Sequence, residues 1–227
     1  MIDQIQWLGH GSFVILGDPL IYINPRRVAR VSRPADAILI GSDHYEYCSQ
    51  ADIAKLRGPN TQVIAGSQAA KHIENCVILR PWQSISVGRA CIKGITAYMP
   101  RLSSPDDGGL GFIISVNFFD IYYAGHTGIT PEMASLHPDI AILPIDGSGT
   151  MSASEAAQVV GQMRPGWVIP CNWGFSISGT NRCAGPRRRC VSSASRPTKS
   201  GLSKSTQRSS PASRGEKPVS KSVFQSG

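Results

Sequence analysis

The stretch Ile38-Leu39-Ile40-Gly41-Ser42-Asp43-His44-Tyr45-Glu46-Tyr47-Cys48-Ser49 decides the reading of this chain. An apolar strand over residues 37–40 runs directly into a cluster of imidazole, carboxylate and thiol groups. A sheet delivers ligands to a metal ion at its rim in this way, because the strand fixes the backbone and the loop beyond it carries the donors. The spacing is Ser42-x-His44-x-Glu46-Tyr47, with Cys48 directly after it. Cys48 has two readings, a ligand beside His44 and Glu46 or a small side chain packed as an apolar group.

Outward from this stretch, the sequence alternates short apolar runs with turn residues. Residues 5–8, 12–16 and 20–23 are separated by Gly9-His10-Gly11 and Gly17-Asp18-Pro19, the pattern of a β-meander. Ser49 is placed to cap a helix over 50–57 that stops before Gly58-Pro59. A strand at 61–65 and a second helix at 67–75 follow, then strands at 77–79, 84–87, 91–98, 111–116, 119–124 and 139–144. Ser152, with Glu155 three residues on, predicts a capped helix to Met163, and residues 168–170 are the last clear strand. Strands come mostly in runs with helices between some of them. That favours two sheets packed face to face with helices outside over a regular βαβ alternation.

At 227 residues and 41% hydrophobic content, the chain suffices for one domain with a substantial core, or at most two small ones. No apolar run approaches the roughly 20 residues of a membrane span, and the N-terminus lacks the pattern of a signal peptide. The protein is therefore read as cytoplasmic, with no membrane partner. The six cysteines show no Cys-x-x-Cys and read as free thiols. The net charge of +8 is uneven, because residues 175–227 hold eleven of the 23 Lys and Arg but one of the 15 acids. Residues 1–174 read as the folded domain. Residues 175–227, rich in Ser, Arg and Lys, read as a disordered basic tail, since they carry no periodic apolar face. A genuine tail and an out-of-frame segment both match this abrupt change.

Six segments in order carry a family resemblance: Gly9-His10-Gly11-Ser12-Phe13, Ile23-Asn24-Pro25, the 42–47 frame, Ala124-Gly125-His126-Thr127-Gly128, Leu143-Pro144-Ile145-Asp146-Gly147, and Ile169-Pro170-Cys171-Asn172-Trp173-Gly174. Together they resemble the small bacterial and archaeal metal-dependent hydrolases of the metallo-β-lactamase superfamily related to L-ascorbate-6-phosphate lactonase. The resemblance implies an α/β (α+β) fold, a four-layer αββα sandwich with an atypical C-terminal part. It also implies metal ligands at positions 42, 44, 46, 47, near 101, 126 and 172, where this chain has Ser42, His44, Glu46, Tyr47, Arg101, His126 and Asn172. His44 is unchanged, Glu46 keeps a carboxylate and His126 replaces an acid with an imidazole. Ser42, Tyr47 and Asn172 are poor zinc ligands, and Arg101 repels a cation.

The two-metal site of the family is thus expected to be absent. A reduced set, His44, Glu46 and His126, with His10 nearby, is the candidate for one zinc or manganese ion at most, with no ion as the other reading. His44 and Glu46 are the candidate catalytic pair. His10, Asn24, Ser42, Asp43, Tyr47, Arg101, Asp146 and Asn172 are expected around the pocket. His72 and His137 read as surface or structural residues. Three functions stand side by side: a hydrolase of a small ester, lactone or phosphoester, a catalytically silent relative that binds a small molecule, and a nucleic-acid binder acting through the tail. The third is disfavoured, because the tail has neither interleaved aromatics nor a binding motif. Self-association through exposed apolar surface is also expected.

Overall fold

The computed structural model of the chain describes residues 1–100, 102–173 and 192–193. The chain divides into two units, Met1–Arg196 and Pro197–Gly227, of which the second lies outside the described residues. The expectations for the tail, and the boundary at 174/175, likewise fall outside them, apart from Ser192–Ser193.

Two sheets carry the first unit. One has six strands in sequence order: β1 (Ile5–Gly9), β2 (Ser12–Ile15), β3 (Ile21–Ile23), β4 (Ala37–Ile40), β5 (Gln62–Ala65) and β6 (Val77–Ile78). Its first three strands are antiparallel, as the meander pattern predicts, and β3 to β6 pair in parallel. The other sheet runs β13 (Ser192–Ser193), β12 (Trp167–Cys171), β11 (Ile140–Pro144), β10 (Phe119–Tyr123), β9 (Leu110–Val116), β8 (Ala90–Thr96) and β7 (Ser84–Val87). Strands β10, β11 and β12 are parallel, and β7 to β10 pair antiparallel.

Side-chain alternation explains the layers. Successive residues of a strand point to opposite faces. Ile21, Ile23, Ala37 and Leu39 of the first sheet therefore meet Phe112, Ile121, Tyr123, Ile140 and Ile142 of the second in a central core. The alternate residues Tyr22, Ile38 and Ile40 face outward, under Ile53 and Leu56 of helix α1 (Gln50–Leu56). On the far side Tyr122, Ala141 and Leu143 meet Ala156, Val159 and Met163 of helix α3 (Ala153–Met163). Strands buried on both faces need continuous apolar sequence, which is why 37–40 and 140–143 lack polar residues. The result is the four-layer αββα sandwich.

Helix starts follow the predicted chemistry. Ser49 Oγ accepts from Asp52 N at the start of α1. Ser152 and Glu155 form a reciprocal capping box on α3. Helix α2 corrects the sequence reading. It spans only Ser67–Ala70, not 67–75, and starts at Gly66, which has no side chain with which to cap it. The chain beyond it winds through turns to Asn75, which takes a left-handed φ of 51°, so His72 lies in a turn and not on a helix.

Candidate functional site

Several strands of both sheets end at one rim. Asn24 follows β3, Gly41 follows β4, Ala124 to His126 follow β10, Asp146 lies just past β11, and Asn172 follows β12. In sandwiches with parallel strands, ligand sites form beyond such carboxyl ends. The rim is tied across the sheets by backbone and amide contacts. Leu110 N donates to Gly41 O at 2.7 Å, and Gly41 N donates to Asn24 Oδ1 at 3.0 Å. Gly41 has to be glycine here, because a Cβ would lie 2.2 Å from the Leu110 carbonyl oxygen.

Asn24 Nδ2 donates to the Tyr123 hydroxyl at 2.8 Å, and that hydroxyl donates to Gly11 O at 2.7 Å. The loop between β1 and β2 is thereby fastened to the opposite sheet. A side chain at Gly11 would meet Tyr47 Cε1 at 2.6 Å and Asn172 Oδ1 at 3.1 Å, so this glycine sets how closely the loop approaches the pocket. His10, Asn24 and Asn172 all have left-handed φ values, of 49°, 44° and 60°. Asn tolerates this region well and His less so, and such conformations gather where a scaffold holds a site in place.

The pocket brings together six of the side chains expected there. The His44 and His126 rings lie 5.3 Å apart between centroids, and Tyr47 stacks on His126 at 4.8 Å. His10 lies 5.5 Å from the Tyr47 ring, and Asn172 Nδ2 donates to the Tyr47 hydroxyl. The Glu46 carboxylate lies 3.1 Å from His10 Nε2 and 3.4 Å from Arg26 Nη1. Burial, followed by the neighbouring His44, pushes His126 down to about 4, so its imidazole is neutral at neutral pH. Burial also lowers His10, although Glu46 opposes it. The cation facing Glu46 at neutral pH is therefore Arg26. Burial holds the Tyr47 phenol far above its ordinary value, so it stays protonated.

Other expected residues are engaged elsewhere. Ser42 is buried, and its Oγ accepts from His44 N at 3.2 Å. Asp43 turns toward His72, 4.0 Å away. Asp146 Oδ1 accepts from Ser148 N at 2.6 Å and from Thr150 Oγ1 at 2.9 Å, closing its own loop. Arg101 lies outside the described residues. Cys48 packs with Ala70 and Cys76 against the outer core beneath α1, which removes it from the ligand list. The sequence reading missed Arg26, Tyr123 and Gly11. Arg26 had a weak signal, an arginine directly after the Ile23-Asn24-Pro25 segment. The other two depend on contacts across more than 30 residues, which periodicity does not reveal.

A bound metal ion requires about three protein donors converging on one point. Among the described residues no three His, Cys, Asp or Glu side chains gather as a metal-holding group. Glu46 is shared between His10 and a guanidinium that competes with any cation. His44 Nδ1 accepts from Glu46 N at 3.4 Å, a contact that an ion bound at this nitrogen would displace. Tyr47 and Asn172 are hydrogen-bonded to each other where the resemblance implies ligands. The residues present do not fit the metal centre that the resemblance implies.

Comparison with known proteins places this architecture. A family model described as a β-lactamase superfamily domain matches residues 4–172. The UPF0173 metal-dependent hydrolase of Pyrococcus abyssi is 28% identical over 191 residues, covering 75% of this chain and 84% of the relative. A protein of the same description from Nitratidesulfovibrio vulgaris is 31% identical over 198 residues, covering 77% and 81%. A crystal structure from Parabacteroides distasonis matches with a TM-score of 0.70 at 25% identity, over 76% of this chain and 83% of the other. A metallo hydrolase structure from Ignicoccus hospitalis shares the fold with a TM-score of 0.61 at 22% identity, over 74% and 81%.

Proposed function

The chain belongs to the β-lactamase superfamily, in the company of metal-dependent hydrolases, and from that premise we propose that its pocket binds a small molecule without a catalytic metal. The observation that carries this reading is the Arg26–Glu46 contact. A guanidinium is always charged, and it neutralises the Glu46 carboxylate that would otherwise stand with His44 and His126. Tyr47, stacked on His126 and hydrogen-bonded to Asn172, takes the space beside them. What remains is a rim pocket with hydrogen-bond donors and neutral imidazoles, suited to positioning a polar ligand.

A second reading is supported by the His44–His126 separation of 5.3 Å, a spacing at which two imidazoles can share one ion. In that reading Glu46 leaves Arg26, and the three residues form a single-ion centre for hydrolysis of a small ester, lactone or phosphoester. Elemental analysis of the purified protein separates the two. The metal-free reading expects well under one ion of zinc, manganese or iron per chain, unchanged in His44→Ala. One ion per chain that disappears in His44→Ala supports the second reading and ends the first. Two tightly held ions per chain would end both.

A further inference from the structure

The loop after β3 holds four arginines within eight positions, Arg26, Arg27, Arg30 and Arg33. Two have carboxylate partners: Arg26 faces Glu46, and Arg33 Nη1 lies 2.9 Å from Asp36 Oδ2 while its Nη2 donates to Gly17 O. Arg27 and Arg30 are exposed, and among the described residues neither guanidinium has a carboxylate within ion-pair distance. Both line a cavity of about 890 Å³ on the outer face of the first sheet, away from the rim pocket. That volume lies within the roughly 300–1,000 Å³ of small-molecule sites.

The cavity exists because the outer face of this sheet is unevenly covered. Helix α1 shields β4 and β5, whereas among the described residues it is residues 27–32 that lie over the outer face of β1 to β3. The walls are mainly aliphatic, formed by Val14, Leu16, Val28 and Val31, with Tyr22 beside them. Leu16 and Val31 are exposed to solvent there, as are Trp7 and Leu8. The loop is held in place. Asp52 of α1 accepts from Arg27 N at 2.9 Å and from Val28 N at 3.0 Å, and Arg27 has a left-handed φ of 55°. The carboxylate tethers a strained turn that sends Arg26 toward the rim pocket and Arg27 toward the groove.

We propose that this groove binds a free fatty-acyl carboxylate, its chain along the aliphatic walls and its head group on Arg27 and Arg30. Unpaired guanidinium groups recognise a carboxylate in bidentate geometry, and an acyl chain buries the exposed wall. Neither feature alone selects this ligand. Their juxtaposition favours an amphipathic anion over a neutral lipid or a short carboxylate.

The test is titration of the full chain with dodecanoate below its micelle-forming concentration, followed by calorimetry and tryptophan fluorescence. Dodecanol and butyrate serve as comparisons. The expected result is saturable binding of one dodecanoate per chain, at least tenfold weaker binding of each comparison, and at least tenfold loss in Arg30→Glu. Leu16→Asp should weaken dodecanoate similarly. Both positions are at the surface, and circular dichroism of the variants confirms that they fold. Equal affinity for dodecanol, an unchanged affinity in Arg30→Glu, or no saturable binding overturns the proposal. So does a concentration-dependent dimer abolished by Leu16→Asp, which would make a second copy the occupant. Capture by anionic phospholipid vesicles without binding of dodecanoate would overturn it as well.

Discussion

Nη1 of Arg26 lies 3.4 Å from Oε1 of Glu46, and the two side chains are only 20% and 10% exposed. The arginine comes from the loop after β3 and the glutamate from the loop after β4, so parallel neighbours supply both partners. A largely desolvated carboxylate needs such a partner, because losing it leaves a charge with poor solvation. In the metal-free reading, the same contact that stabilises the loop also keeps Glu46 from serving as a metal ligand, so stability and metal binding are linked through one residue pair.

Arg26→Met is expected to lower the unfolding free energy by about 1–3 kcal/mol, from the penalty for a buried carboxylate left with His10 alone. Glu46→Leu should be destabilising too, and the double variant should lose less than the sum of the two. Urea denaturation of the four proteins measures this. Two neutral single variants would show that the contact contributes nothing and that Glu46 is free to turn toward a cation.

Restoring the family pattern offers a more direct check on the site. The combination Ser42→His, Glu46→Asp, Tyr47→His and Asn172→His replaces the hydrogen-bonded Tyr47–Asn172 pair with donors at the rim. With His44 and His126 already in place, zinc affinity should rise by about a hundredfold or more over the native chain. Calorimetric titration with zinc gives the ratio. Unchanged affinity in a folded variant would mean that these positions do not converge as the family resemblance implies.

Asp52 supplies the clearest pH dependence. Burial alone would raise its carboxyl, but hydrogen bonds from Ser49, the Arg27 and Val28 amides and Lys55 outweigh this and hold it below 3.8. A carboxyl depressed in the folded state contributes stability that is complete above its unfolded value of about 4, and that is lost as pH falls through the folded value. Asp52→Asn should therefore destabilise the protein by about 1–3 kcal/mol at neutral pH. The gap between variant and native protein should narrow as pH drops below about 4. Stability curves from pH 7 to 3 test this, and a gap that stays constant with pH would sink the assignment.

The legibility of this chain divides along physical lines. The double-faced strands were readable because burial on both sides forces runs such as Ala37–Ile40 and Ile140–Pro144. Helices with a capping side chain, at Ser49 and Ser152, were readable at their starts. Helix α2 was overextended because an apolar sprinkling at 67–75 suits a turn packed on the core as well as a helix. At the rim, His44, Glu46, Tyr47, His126 and Asn172 could be gathered from motif order. Their pairing could not, since Arg26 reaches Glu46 across 20 residues and Asn172 reaches Tyr47 across 125. Such contacts are set by strand order, which local pattern does not encode.

The hairpin between β9 and β10 carries a local conflict that can be relieved. Its two central residues are Asn117 and Phe118, with φ of 52° and 63°, as a type I′ turn requires. Asn accepts this conformation, but an L-residue with a bulky side chain is held there at a penalty of about 1–2 kcal/mol. Phe118 gains nothing in return from packing, since its side chain is wholly exposed. Phe118→Gly removes the Cβ clash, while the greater freedom of glycine in the unfolded chain takes back about 0.5–1 kcal/mol. The net expectation is a gain of about 0.5–1 kcal/mol, seen as a melting temperature higher by about 1–4 °C. Phe118→Ala keeps the Cβ and should show no such gain, which separates backbone relief from the loss of an exposed aromatic. If alanine and glycine stabilise equally, the strain is not at this φ and exposure of the ring is the real liability. If glycine destabilises, Phe118 makes a contact in solution, and the hairpin tip is then the first place to look for a partner.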